Sequence, residues 1–218
     1  MSTAKGKKLV IATSSKSRLA LLGFLGIDYM AIEPKVKENY GGLGPRETVL
    51  NNAMRKASSV VGIAPENSVI VGLDTIIIDS SYRIIGKPHT LQFHSTVLRA
   101  LSGSWHRVVT GAYIIDVPEN TTDSFVEETR VKFKKLSDSE IRMYMASMEG
   151  LGRAGGYAIQ GIASLLIERI EGDYYNVAGL PLHKLYTTLL KHGINLLEQS
   201  VKSRIIKQKG DRGKVPEQ

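Results

Sequence analysis

The chain has 218 residues, 42% of them hydrophobic and 23% charged, enough for one large domain or two small ones with a sizeable core. It has no cysteine, which excludes disulfides and thiolate metal centres, and no apolar run approaching a membrane span. A net charge of +8 invites a polyphosphate partner, but residues 201–218 alone carry six Lys or Arg against two acids, and three lysines crowd the first eight residues. Between these ends the body is close to neutral, and basic ends read first as solvated or frayed termini. The apolar run in MSTAKGKKLVIATSS is too short for a signal segment, so the expected compartment is the cytoplasm, with no membrane partner.

KKLVIAT is a short apolar run suited to a buried strand, and SRLALLGFLG follows with helical spacing and Gly26 as a stop. PRETVLNNAMRKASSVVG has Pro45 in a first-turn position. Its spacing predicts a helix with Val49, Leu50, Ala53, Met54, Ala57, Val60 and Val61 on one face, ended by Gly62. SVIVGLDTIIID is β-branched on both sides of Asp74-Thr75, so one or two buried strands are expected there. A turn over Asp79–Arg83 leads to a short strand through Ile84 and Ile85. TLQFHSTVLRALSG reads as a helix, HRVVTGAYIID as a strand and SFVEETRVKFKKL as a half-exposed strand. Ser137 and Glu140 in SDSEIRMYMAS have capping-box spacing for another helix. In GGYAIQG, a strand would use Tyr157 and Ile159 but has no need of Gln160. ASLLIERIEG then reads as a strand and LPLHKLYTTLLKHG as a helix. With no repeat and no long linker, residues 1–200 are expected to form a single α/β domain with a mixed sheet. Residues 201–218 are expected to be a flexible basic tail.

The polar residues that break these runs are the candidates for chemistry. Asp74 stands inside a run where an unpartnered carboxylate would cost several kcal/mol or keep its proton. Its bland alternative is a turn aspartate between two strands, which the nearby Gly72 would allow. Glu38 in KVKENY reads by itself as a surface acid. Lys87 lies between Gly86 and Pro88, a stiff backbone able to aim an ammonium at a phosphate, or a plain surface turn. ATSSKSR joins a strand to a helix and would gather hydroxyls, backbone N–H groups and Arg18 at a helix N-terminus, an anion site without the glycines of a Walker A loop. Lys56 falls on the exposed side of its helix, where a lysine is ordinarily solvated. His106 reads as a structural histidine, since the five histidines show no zinc-type spacing.

Taken in order, these segments resemble the Maf family, the septum-formation-inhibitor homologues that are nucleoside triphosphate pyrophosphatases. IATSSKSRLALL matches the family's L-A-S-x-S-P-R-R-x-x-L-L, Glu38 its V-D-E position, and Lys56-Ala57 its helix. GLDT, GKP, LSGSWHRVVTG, GGYAIQG and IEGDYYNVAGLPL follow in sequence, so the match runs from about residue 8 to 197. The resemblance implies the inosine-triphosphatase-like (Maf/Ham1) α/β fold, a curved mixed β-sheet with flanking helices and a deep cleft between two lobes. It implies hydrolysis of a triphosphate between its α and β phosphates, assisted by Mg2+, Mn2+ or Co2+. Asp74 matches the catalytic residue that accepts the water's proton, and Glu38, with Asp74, the metal-binding carboxylates. Ser15, Arg18, Lys56, Lys87 and Arg153 match substrate-binding positions. Gln160 matches the glutamine that reads thymine or uracil, an amide able both to donate and to accept, where a methylguanine-specific subfamily carries Glu. Thr75 and Ser17 fall at the other two specificity positions.

Three departures stand out. Lys16-Ser17 replaces Pro-Arg, and EGLGRAGG replaces E-P-x-D-K-A-G, so that Gly152 removes a carboxylate and Arg153 stands for a lysine. Glu149 is the nearby acid that could take over from the missing one. The competing reading is a nucleotide- or nucleic-acid-binding regulator of division with little turnover. Sparse aromatics and the joint presence of Asp74, Glu38, Lys56 and Lys87 oppose it. The sequence leaves a homodimer open.

Overall fold

The computed structural model describes residues 6–212, with side chains described through 208. In chain order the elements are β1 (Lys8–Ala12), α1 (Lys16–Phe24), β2 (Met30–Ile32), α2 (Pro45–Ser58), β3 (Ser68–Ile78), β4 (Ile84–Ile85), α3 (Leu91–Leu101), β5 (Trp105–Asp116), β6 (Thr121–Phe133), α4 (Asp138–Ala146), β7 (Ile167–Glu171), α5 (Tyr174–Val177), α6 (Leu182–Lys191) and α7 (Leu196–Arg212). The strands form one mixed sheet in the order β2-β1-β3-β5-β6-β7, with β4 added to the edge of β3. β1 runs parallel to β2 and β3, and the β3–β5–β6–β7 series is antiparallel.

β1 and β3 read as continuous apolar runs because helices cover both of their faces, which removes any reason for alternation. On β3, Val69, Val71 and Leu73 join a core with α1 and α6, while Ile77 on the same face joins a second core with α3 and α4. The opposite face of β3, carrying Ile70, Ile76 and Ile78, lies under α2. Asp74 therefore points to the α2 side and Thr75 to the other.

α2 sits directly on the sheet because two glycines let it. A Cβ on Gly72 would lie 2.1 Å from the Ala53 carbonyl oxygen, and one on Gly111 would lie 2.6 Å from the Val49 carbonyl carbon. The helix is rotated from the face that its apolar spacing predicts. Met54 and Val61 are exposed, and Thr48, Asn52 and Lys56 take buried positions beside Val49, Ala53 and Ala57. Three polar side chains on a buried face are the first sign that the contact has a purpose besides packing.

α4 begins with the capping box expected from Ser137 and Glu140. The run ASLLIERIEG divides into a 3-10 turn over Ile162–Leu166 and then β7, and Tyr157–Gly161 forms no strand. Residues 201–212, read from the sequence as the start of a tail, continue α7 as helix, with Ser203 packed against Gly26; residues 213–218 lie outside the described residues. Among the described residues no helix is long and apolar enough to cross a membrane.

Replacing Gly72 by Ala should push α2 off the sheet and cost about 1–3 kcal/mol, the usual range for overpacking a filled core. Gly23→Ala, at a position with nothing within 4 Å of the new methyl, should be neutral or mildly stabilising. Urea unfolding of both variants checks this, and equal midpoints would contradict the close approach of α2.

Candidate active site

A cleft of about 580 Å³ opens at the carboxyl end of β1. Strand lengths create it. β1 stops pairing at Ala12–Gly72, and β4 begins pairing only at Ile77–Ile85, which leaves residues 73–76 of β3 with a free edge. Around that edge stand the β1–α1 turn, Pro34 and Glu38 of the following loop, Lys56, Lys87, the segment 151–160 and residues 177–179. The α1 N-cap, Ser15, makes no side-chain cap, and the first turn holds no acid, so its N–H groups and Lys16 present a positive end to the cleft.

On the α2 side of β3, Asp74 is 1% exposed and fully partnered. Its Oδ1 accepts from Lys56 Nζ at 2.6 Å and its Oδ2 from Asn52 Nδ2 at 2.9 Å. The same ammonium donates to Glu38 Oε1 at 2.6 Å and to the Leu73 carbonyl at 3.2 Å, so all three of its N–H groups are engaged. The lysine read as solvated is thus buried between two carboxylates. Lys87 approaches Glu38 from the cleft side, at 2.8 Å from Oε2 and 3.1 Å from Oε1, and the Tyr40 hydroxyl also donates to Glu38. Burial pushes the Glu38 carboxyl up, but the charge and hydrogen bond of Lys56, with bonds from Lys87 and Tyr40, outweigh it and hold the group well below the usual carboxylate range. Burial, with the charge of Asp74 and the bond to Glu38, pushes the Tyr40 phenol up, so it stays a donor.

On the other side of β3, Arg18 is buried and acts as a bracket. It donates to the Gly179 carbonyl at 2.7 Å, the Leu73 carbonyl at 3.2 Å, Thr13 Oγ1 at 3.4 Å and Thr75 Oγ1 at 2.9 Å. Burial lowers its pKa, and the charges of Asp74 and Glu38 work against that. Thr75 also shares a hydrogen bond with Thr110 at 2.9 Å. Thr75 and Arg18 both line the cleft, with most of their hydrogen-bonding capacity turned toward protein.

The facing wall is the glycine segment. Gly152, Gly155 and Gly156 have φ of +75°, +67° and +69°, a region that favours glycine, so the chain can fold back tightly here. Gly156 O accepts from His94 Nε2 at 2.7 Å, and Gly152 N–H donates to the Pro88 carbonyl at 2.7 Å, next to Lys87. Glu149 caps the following 3-10 turn, accepting from Ile162 N at 2.8 Å and Ala163 N at 3.1 Å, which turns its carboxylate away from the role of a replacement for the acid lost at Gly152. Arg153 is fixed by a 2.8 Å bond from its Nε to the Glu149 carbonyl, and its guanidinium reaches across the cleft to donate to the Ser17 hydroxyl. Gln160 is exposed in the cleft wall, and its amide makes no hydrogen bond to any described residue.

The structure therefore gathers Ser15, Ser17, Arg18, Glu38, Lys56, Asp74, Thr75, Lys87, Arg153 and Gln160 around one cavity. Sequence reasoning missed Asn52, which touches Asp74 from α2. Its signal was available as a polar residue one helical turn before Lys56. Among the described residues no group of three acidic or histidine side chains could hold a metal ion. Glu38 and Asp74 supply two oxygen donors, a set that suits a hard cation drawing its remaining ligands from phosphates and water.

A family described as Maf-like protein matches residues 8–192. A dTTP/UTP pyrophosphatase of Staphylothermus marinus is 48% identical over 201 residues, covering 92% of this chain and 97% of that protein. A dTTP/UTP pyrophosphatase of Thermosipho melanesiensis is 40% identical over 181 residues, covering 83% and 96%. Among solved structures, a HAM1 protein from Coxiella burnetii aligns over 93% of this chain and 99% of its own, with a TM-score of 0.45 and 14% identity.

His106 supports the glycine segment from below. Its Nε2 shares a 2.8 Å hydrogen bond with the Tyr157 hydroxyl, whose pKa burial raises. Burial lowers the imidazole to about 4 from its ordinary 6.5. Between those values the unfolded chain takes up a proton that the folded chain refuses. Stability present above pH 6.5 is thus lost as pH falls toward 4, by roughly 3 kcal/mol if the full shift is realised. His106→Gln, which puts an uncharged hydrogen-bonding amide near Tyr157 in place of the imidazole, should flatten that dependence in denaturant titrations at pH 4.5 and 7. An equal pH slope in both proteins would remove His106 as its source.

Proposed function

The chain belongs to the Maf family, and from that membership we propose that it is a nucleoside triphosphate pyrophosphatase acting on thymidine and uridine triphosphates. The observation that carries the mechanism is the Asp74 carboxylate, buried at the free edge of β3 with one hydrogen-bond donor on each oxygen. Each oxygen keeps a lone pair, and the side chain lines the cleft. Asp74 takes a proton from water as that water's oxygen bonds to the α-phosphorus. The bond from that phosphorus to the α–β bridging oxygen breaks, and pyrophosphate leaves with the electron pair.

The cleft divides the remaining work. The first-turn N–H groups of α1, with Ser15 and Lys16, receive phosphate oxygens at the positive helix end. Lys87 has a donor to spare beyond its bonds to Glu38, and Arg153 retains N–H groups beyond its bonds to Glu149 and Ser17. Lys56 reaches phosphate only by exchanging a protein partner, while Arg18 keeps one N–H beyond its four bonds to protein. A divalent cation, held by Glu38 and Asp74, would neutralise the polyphosphate charge when bound. Gln160, uncharged and unengaged, offers its amide to the carbonyl and N–H of a pyrimidine. A nucleotide substrate fits a cytoplasmic enzyme.

Asp74→Asn preserves shape and hydrogen-bond reach but removes the proton acceptor. Pyrophosphate release should fall by at least roughly a hundredfold with nucleotide binding largely kept. Near-normal turnover would remove Asp74 from the mechanism.

Gln160→Glu tests the base. An ionised carboxylate can only accept, so one partner of the pyrimidine is lost, a change of roughly five- to a hundredfold in preference. The ratio of kcat/KM for uridine triphosphate over guanosine triphosphate should fall accordingly, and an unchanged ratio would mean that Gln160 does not read the base.

A further inference from the structure

We propose that Asn52 is the positioning residue of this site, a single amide that orients Asp74 and at the same time fixes the loop that presents Glu38. The inference rests on the reading of Asp74 as the proton acceptor and extends it to a residue outside the cleft lining. Asn52 lies in α2 four residues before Lys56, so both side chains leave the helix on one face. It is 1% exposed and makes three hydrogen bonds. Its Nδ2 donates to Asp74 Oδ2 at 2.9 Å and to the Asn39 carbonyl at 3.1 Å, and its Oδ1 accepts from Asn39 N–H at 2.9 Å.

Two features give these bonds weight. First, asparagine is a poor residue for a helix interior and a costly one for a buried face unless it is fully partnered. Its neighbours on that face, Val49, Ala53 and Ala57, show that the sheet would accept an apolar side chain there. Second, Glu38 and Asn39 belong to residues 33–44, which form neither helix nor strand. The reciprocal pair of bonds between Asn52 and the Asn39 backbone fastens this segment to α2 in the manner of a short strand pairing. Lys56 and Lys87 hold Glu38 by charge, but flexible ammonium stems fix direction poorly. Asn52 supplies the direction. Because its Nδ2 bridges the Asn39 carbonyl and Asp74, the two carboxylates keep one spacing.

The test is a double-mutant cycle in the full-length protein with Asn52→Leu, Asp74→Asn and the combination, each assayed for pyrophosphate release. Asn52→Leu should lower kcat by about 30-fold or more while KM for uridine triphosphate changes less than about threefold. In the Asp74→Asn background, the same substitution should have little further effect, because residues acting through one another are not additive. Amide exchange over residues 37–41 should also quicken in Asn52→Leu. Asn52→Asp, which keeps an acceptor for Asn39 N–H but loses both donors, should leave the Asn39 amide partly protected while kcat stays low. It also serves if the leucine variant does not fold. With Asp74→Asn inactive, a folded Asn52 variant with normal kcat, or an additive cycle, would overturn the role of Asn52 alone. An active Asp74→Asn would overturn both readings together.

Discussion

A carboxylate in the middle of a buried, β-branched strand is the constraint on which this structure turns. Asp74 occupies a position where Ile70, Ile76 and Ile78 of the same face are packed under α2. Removed from water without partners, such a group would cost several kcal/mol or would bind a proton. The molecule supplies partners by bringing a helix backbone onto the sheet, which only glycine at positions 72 and 111 allows. From that seat Lys56 and Asn52 each reach one oxygen of Asp74. The close packing of α2 and the chemistry of the cleft are therefore one feature. Breaking a buried pair of this kind is far more damaging than never having built it, because the remaining charge stays buried.

Strand alternation then divides the site. Neighbouring residues of β3 point to opposite faces, so Asp74 meets Lys56 and Asn52 while Thr75 meets Arg18 and Thr110. The division fails only at the free edge of residues 73–76, where both faces open into the same cavity. The Leu73 carbonyl marks the junction, accepting from Arg18 on one side and from Lys56 on the other. One backbone oxygen thus links the two cationic brackets across the sheet. A single pair of sequence neighbours can organise two separate sets of side chains because they sit on a strand. On a helix, adjacent residues would have pointed about 100° apart and left the two sets overlapping.

Much of this was legible before any coordinates. The buried strands, the capping box at Ser137 and the break made by Asp74 in an apolar run all follow from local pattern. What the pattern misjudged was α2. Its apolar residues suggest one face, but Asn52 and Lys56 define the buried one, because periodicity records hydrophobicity and is blind to polar groups that find partners inside. Lys56 looked solvated for the same reason. The strand expected in ASLLIERIEG is half 3-10 turn because Glu149, 13 residues away, captures the N–H of Ile162, a tertiary contact outside the reach of local spacing. Arg18 was visible as a cation near a helix start. That its donors would go to the carbonyls of Leu73 and Gly179 depends on chain 55 and 161 residues away.

The departures at the cleft mouth make sense only as a pair. Read along the chain, Ser17 is a shortened side chain and Arg153, 136 positions later, a lengthened, planar one. Across the cleft they touch, because the longer side chain crosses the space that the shorter one leaves. Arg153 can do this since its Nε is held by the Glu149 carbonyl, which aims the fork at α1 and leaves the terminal nitrogens free to project. A lysine would have to reach Glu149 and Ser17 from a single nitrogen, whereas the arginine fork sets its donors apart. The glycines on either side serve the same end. Gly152 takes a positive φ and lends its N–H to Pro88, so the turn that carries Arg153 is tied to the strip that carries Lys87. Positive charge at the mouth is thus placed by the glycine segment and by Lys16 at the start of α1, which also contributes a hydroxyl and the open end of a helix. The cleft keeps a cationic rim although position 17 has none.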